Sequence, residues 1–172
     1  MYKNLHRQLD AYAIDPSIGH KVNDDFGSLL ATDDICLCHG DFWPGNLLLN
    51  SNTKNEVITV VDWEICRRGH PATDVAQFAA EAFLLERFRG KKGMLSAFLK
   101  AYVDGRDLGD DFLQRFMVHW GTHVVFWGTT TGWTSDHMQL RALAEVGMGA
   151  IQHGTSKFWD EMQNSEIKEI FG

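Results

Sequence analysis

Leu5, Leu9 and Tyr12 recur at helical spacing, which predicts a helix over residues 2–13. Asp15-Pro16 stops it, because a proline ring pushes the preceding residue out of helical geometry. A second helical segment is predicted over about 20–32. The period then changes. Ile35-Cys36-Leu37-Cys38 and Leu47-Leu48-Leu49 are short apolar runs that read as buried strands. Glu56 to Val61 is β-branched and is the clearest strand of the chain. The polar stretch Asn50-Ser51-Asn52-Thr53-Lys54-Asn55 reads as a hairpin-like turn joining the last two. Beyond Asp62 the helical period returns, over Thr73 to Phe88, Met94 to Val103, Asp110 to Trp127 and Ser135 to Met162. The pattern is α+β: mostly helical, with a small sheet over 35–62 and helices on either side of it in sequence. The 172 residues read as a single domain, long enough to bury a sizeable core.

Charge narrows the function. Sixteen Lys and Arg face 23 Asp and Glu, a formal net charge of −7, with no basic tail. Duplex nucleic acid needs a dense basic face, and so does an anionic membrane surface, so neither is an expected partner. The N-terminus lacks the apolar core of a signal peptide, and no apolar run approaches the roughly 20 residues of a membrane span. Three cysteines, an odd number, suggest free thiols in a reducing compartment, and the expected location is cytoplasmic.

The residue types that do chemistry concentrate in CHGDFWPGNLLL and the following VVDWE. His39, Asp41 and Asn46 lie on a loop between two apolar strands, and Asp62 and Glu64 follow the next strand. A carboxylate, an Asn five residues on and an Asp on the neighbouring strand can build one divalent-cation site. Mg²⁺ takes hard oxygens such as those of Asn46 and Asp62, shared with phosphate. Asp41 is then left as a candidate general base for a hydroxyl. Cys36, Cys38, Cys66 and His39 lack the usual zinc-ligand gaps. His119 and His123, four apart on one helix, read better as packing than as a metal pair. The aromatic residues of 116–133 could line a pocket. The acids Asp104, Asp107, Asp110 and Asp111 could recognise a cationic substrate, although such a run is usually a solvated loop.

His39-Gly40-Asp41 followed by Asn46, with Asp62 after the next strand, resembles the catalytic loop and metal aspartate of protein-kinase-like enzymes. Gly40 replaces the usual Arg, and Trp63-Glu64 replaces Phe-Gly. That form is similar to the aminoglycoside phosphotransferase and choline kinase group of small-molecule kinases. The resemblance implies a kinase-like C-terminal lobe whose β-hairpin sheet carries the catalytic loop. It implies ATP as co-substrate and Mg²⁺ as cofactor, and a small-molecule hydroxyl or amine as acceptor. Asp41 would deprotonate that acceptor, and Asn46 and Asp62 would hold Mg²⁺ against the phosphates. Glu64 would approach the metal, and His39 would brace the loop. Asp74 would pin it by hydrogen bonds, although its position near a helix start is also explained by the helix dipole alone. Nothing before His39 reads as a glycine-rich nucleotide lobe, so the chain is expected to be the C-terminal lobe alone, in a fragment, a truncated gene product or a split protein. Such a chain would be weakly active by itself and would expose a lobe face prone to self-association. Two other readings stay open: a non-catalytic, pseudokinase-like binding module, and a metal-dependent hydrolase using Asp41, Asp62 and Glu64.

Overall fold

The structure is a computed structural model and describes residues 1–50 and 56–171. The predicted 50–55 turn therefore lies almost wholly outside the described residues. After a 3₁₀ turn at Tyr2–Asn4 come helices α1 (Leu5–Ala11) and α2 (Ser17–Val22). The predicted 20–32 helix is not one helix: it passes from α2 through a π-helical turn at Asn23–Gly27 into a 3₁₀ turn at Ser28–Ala31. Strands β1 (Cys36–Cys38), β2 (Leu47–Asn50), β3 (Val57–Val60) and β4 (Arg67–Gly69) follow, then helices α3 (Ala72–Arg89), α4 (Met94–Val103), α5 (Asp110–Thr130) and α6 (His137–Ser156). α6 is shorter than the sequence pattern predicts. It ends where Lys157 turns left-handed, at φ 56°, and the chain continues into a 3₁₀ turn at Asp160–Asn164.

The strands form two antiparallel pairs rather than one sheet: β1 with β4, and β2 with β3. β4 escaped the sequence pattern because Cys66-Arg67-Arg68-Gly69 has neither alternation nor an apolar run. Nor are the strands buried. Ile35, Leu37 and Ile58 are each more than 60% exposed, and Leu48, Leu49 and Val57 also face outward. Short apolar runs fit a buried strand or an uncovered face equally well, so periodicity cannot separate the two.

The core lies among the long helices. α5 is buried nearly all round, from Phe112 to Gly128, between α3 and α6. Gly121 and Gly147 let α5 and α6 meet backbone to backbone, since a β-carbon on either would run into the other helix. α1 and α2 close the far side through Leu5, Leu9 and Val22 against Val118, Val125 and Ile151. No helix among the described residues is long and apolar enough to cross a membrane.

Candidate active site

The loop from β1 to β2 is held rigid from three directions. Asp74, in the first turn of α3, accepts hydrogen bonds from the backbone N–H of His39 (2.6 Å) and of Gly40 (3.0 Å). His39 is buried, and its Nε2 donates to the Val61 carbonyl at 2.9 Å. That bond leaves Nδ1 to accept from the Asp41 N–H at 3.3 Å. Phe42 plugs the loop into the core against Phe78, with ring centroids 5.1 Å apart. Gly40 has φ +85°, and a β-carbon there would sit 2.5 Å from the Ile65 carbonyl oxygen, so both conformation and space require glycine.

This bracing presents Asp41 and Asn46 together. Asn46 is buried, and its Nδ2 donates to the Asp41 carbonyl (2.9 Å) and more weakly to the Asp41 carboxylate (3.4 Å). The amide nitrogen is thus committed to Asp41, which leaves the side-chain carbonyl oxygen as the atom available to a cation. The β3 end is strapped alongside: Val61 donates its N–H to the Asn46 carbonyl at 3.0 Å and accepts from His39. The next residue, Asp62, turns off the strand at φ +68°, a conformation Asp tolerates better than most residues. Its exposed carboxylate adds a second hard oxygen donor. This donor set suits Mg²⁺, which takes one or two protein oxygens and keeps water or phosphate for the rest. Trp63, standing where kinases carry Phe, covers the His39 ring at 4.6 Å and donates its indole N–H to the Val60 carbonyl.

Asp41 also opens onto a cavity of about 430 Å³ between the loop, α3, α5 and the turn after α5. Gln77 Nε2 donates to Asp41 Oδ1 at 2.7 Å. One turn further along α3, Glu81 accepts from the buried His123 Nε2, also at 2.7 Å. Trp43, Trp127 and Trp133 form the walls, and Arg89 lies over the Trp133 face at 5.6 Å. Gly45 leaves room for the Trp43 indole, whose ring a β-carbon would overlap.

Residues 3–113 match the sequence pattern described as the phosphotransferase enzyme family. The chain belongs to that family. Two relatives, the 4-hydroxytryptamine kinases of Psilocybe cyanescens and Psilocybe cubensis, are 25% and 23% identical to it over 177 residues. Each alignment covers 99% of this chain but only 47% and 46% of the relative, so the chain spans about half the length of the curated relatives it matches.

The structure brings Asp41, Asn46, His39 and Asp74 into one hydrogen-bonded unit and, through Val61, ties the approach to Asp62 to it. Glu64 is exposed on the turn beyond, and among the described residues no hydrogen bond or ion pair joins it to the loop. Nor do three His, Cys, Asp or Glu side chains gather as a metal site among the described residues, so Asp41, Asp62 and Glu64 do not form a three-carboxylate centre. His119 and His123 turn to different partners, Tyr2 Oη at 3.1 Å and Glu81. Asp104, Asp107, Asp110 and Asp111 do not line the Asp41 cavity; Asp111 instead pairs with Arg115 and lies 3.2 Å from His70. Sequence reasoning missed Gln77, Glu81 and Trp43. A signal for the first two was present: Asp74, Gln77 and Glu81, spaced three and four apart, are one polar stripe on an otherwise Ala- and Phe-rich helix.

Proposed function

We propose that this chain is the substrate-side, kinase-like lobe of an ATP- and Mg²⁺-dependent phosphotransferase that acts on the hydroxyl of a small molecule. The observation that carries the reading is the Asp41 carboxylate, fixed by Gln77 and Asn46 at the opening of a tryptophan-walled cavity. In the reaction the acceptor hydroxyl enters the cavity, and Asp41 orients it and takes its proton. The hydroxyl oxygen attacks the γ-phosphorus in line, the P–O bond to the β-phosphate breaks, and ADP leaves with that electron pair. Asn46 and Asp62 would hold Mg²⁺, which supplies neutralisation of the phosphate charge. Most of the catalysis is positioning and electrostatics, the usual balance in phosphoryl transfer.

A second lobe would cover the nucleotide from the other side. The outward apolar side chains of β1, β2 and β3 offer it a docking face, and the relatives' twofold greater length is in keeping with it. The relatives' name, 4-hydroxytryptamine kinase, accords with an acceptor that has a flat apolar body, and three indoles are suited to stack on one. Free cysteines, with Cys66 exposed, accord with a cytoplasmic setting. The test is a screen of the full-length protein for transfer from γ-labelled ATP to sugars, aminoglycosides, choline-like alcohols and hydroxylated arylamines. Transfer to the last class is expected. Mg²⁺-dependent ATP binding with no transfer to any acceptor would establish the non-catalytic binding module in its place.

A further inference from the structure

The proposed chemistry leaves two thiols directly before the His39 loop without a role. Cys36 and Cys38 stand on the same face of β1, because side chains two apart on a strand point the same way, and their sulfurs lie 3.8 Å apart. Both are free; Cys36 is half-buried, whereas Cys38 is only 1% exposed. Cys36 stands opposite Gly69 on β4, and Cys38 Sγ lies 3.1 Å from where a Gly69 β-carbon would be, so the glycine makes room for the sulfur. A cavity of about 390 Å³, bordered by both cysteines, Leu37, Trp63 and Tyr102, gives a small molecule a way in.

Cys38 touches both sides of the contact that pins the loop. Its backbone runs into His39, whose N–H donates to Asp74. Its thiol donates to the His70 carbonyl at 3.5 Å, and the same carbonyl accepts from the Thr73 N–H and hydroxyl, in the turn that carries Asp74. Among the described residues β1 pairs only with β4, so no second ladder resists a change in its length. Positions two apart on a strand stand about 6.6 Å apart at Cα, within the roughly 6.8 Å a disulfide spans but near its upper end. Closing one therefore draws β1 shorter and removes the thiol hydrogen that reaches His70.

We propose that Cys36 and Cys38 form a dithiol switch, oxidised by a low-molecular-weight disulfide, whose closure releases the His39 and Gly40 amides from Asp74. The half-buried Cys36 sulfur attacks the small disulfide and breaks its S–S bond, which forms a mixed disulfide and releases one thiol carrying the Cys36 proton. The Cys38 sulfur then attacks that of Cys36, and the second thiol leaves with the Cys38 proton. Two protein thiols are oxidised and one small disulfide is reduced to two thiols. Burial and the nearby Asp74 carboxylate keep the Cys38 thiol protonated, which makes it the second to react. The switch itself does not depend on the phosphotransferase reading; on that reading, the released loop takes Asp41 out of alignment.

The test treats the full-length protein with oxidised glutathione, blocks the remaining thiols with iodoacetamide and digests with trypsin. Trypsin separates the pair from the third thiol, since residues 22–54 hold Cys36 and Cys38 and residues 55–67 hold Cys66. The expected 22–54 peptide is unalkylated and two hydrogens lighter than the reduced one. Hydrogen exchange at His39 and Gly40 should be at least about tenfold faster in the oxidised protein, the scale of one lost hydrogen bond to a charged group. Dithiothreitol should reverse both. Cys36→Ser should keep the slow exchange under the same oxidant, and Cys36→Ala repeats the control should serine perturb the strand. Alkylation of both cysteines, or a mixed disulfide at Cys36 that goes no further, would overturn the switch. So would a disulfide that leaves exchange at His39 and Gly40 unchanged, or a faster exchange that persists in both Cys36 variants.

Discussion

Gln77 shows how a single side chain tunes the site. Its amide N–H reaches Asp41 Oδ1 at 2.7 Å, while Asn46 approaches the other oxygen at 3.4 Å. Two neutral donors fix the carboxylate's plane and aim it at the cavity. Gln77→Ala in the full-length protein is expected to lower kcat by about tenfold to a hundredfold with little change in the KM for ATP, because a base loses rate when it loses its alignment. Gln77→Glu should also move the acid limb of the pH–rate profile upward, since a second carboxylate beside Asp41 disfavours its ionised form. An unmoved acid limb would reduce Gln77 to packing. His119 shows a different effect at the same scale. Its burial, reinforced by His123 and Arg67, pulls its pKa down to about 3. The unfolded chain would take up that proton near pH 6.5. The stabilisation is therefore complete above pH 6.5 and is lost as pH falls toward 3, at up to about 1.4 kcal/mol per pH unit. Burial shifts His70 in the same direction. Melting temperature should fall more steeply from pH 6.5 to 4 in the wild type than in His119→Gln; identical slopes would remove His119 from the account.

Among the elements, α3 does the most. One stripe of it carries Asp74 to the loop, Gln77 to Asp41 and Glu81 to the cavity, so the helix orders the site along its length. The grouping of His39, Asp41 and Asn46 on one loop was legible in the sequence because local spacing sets it. The α3 residues were not, because their partners lie 34 to 42 positions away and only the fold shows which way the stripe faces. Asp74 shows the limit well: an acid at a helix start is expected from the dipole alone, yet here the carboxylate also spans two loop amides. The strands misled for a related reason. Leu37 and Ile58 are as apolar as core residues, and local pattern carries no sign of the exposed face they occupy. Asp74→Ala strands two amides and removes two charge-assisted bonds, so a loss of about 2–4 kcal/mol in urea unfolding is expected, with faster hydrogen exchange at His39 and Gly40. A loss below about 0.5 kcal/mol would show the loop to be held by other means.

For the molecule as a whole, the helical core and the strand face make opposite demands. The core is closed and carries the cavity beside Asp41, while Ile35, Leu37, Leu48, Leu49, Ile58, Trp63 and Ile65 lie open on the strand side. Exposed apolar surface of this kind marks an interaction face. The 172-residue chain by itself is therefore expected to self-associate with rising concentration in sedimentation velocity, and Leu37→Lys with Ile58→Lys should restore the monomer. A wild-type chain that stays monomeric at high concentration would show that this face does not drive association.

The proposed base of the phosphotransfer is Asp41. The most direct measurement of that role is single-turnover transfer from γ-labelled ATP by full-length wild type and Asp41→Asn, with circular dichroism to confirm the fold. Asparagine keeps the size and the hydrogen bond from Gln77 but cannot take the acceptor's proton. The account predicts a loss of about 10³-fold with the fold and Mg²⁺-dependent ATP binding retained. Transfer by Asp41→Asn within tenfold of wild type would contradict it.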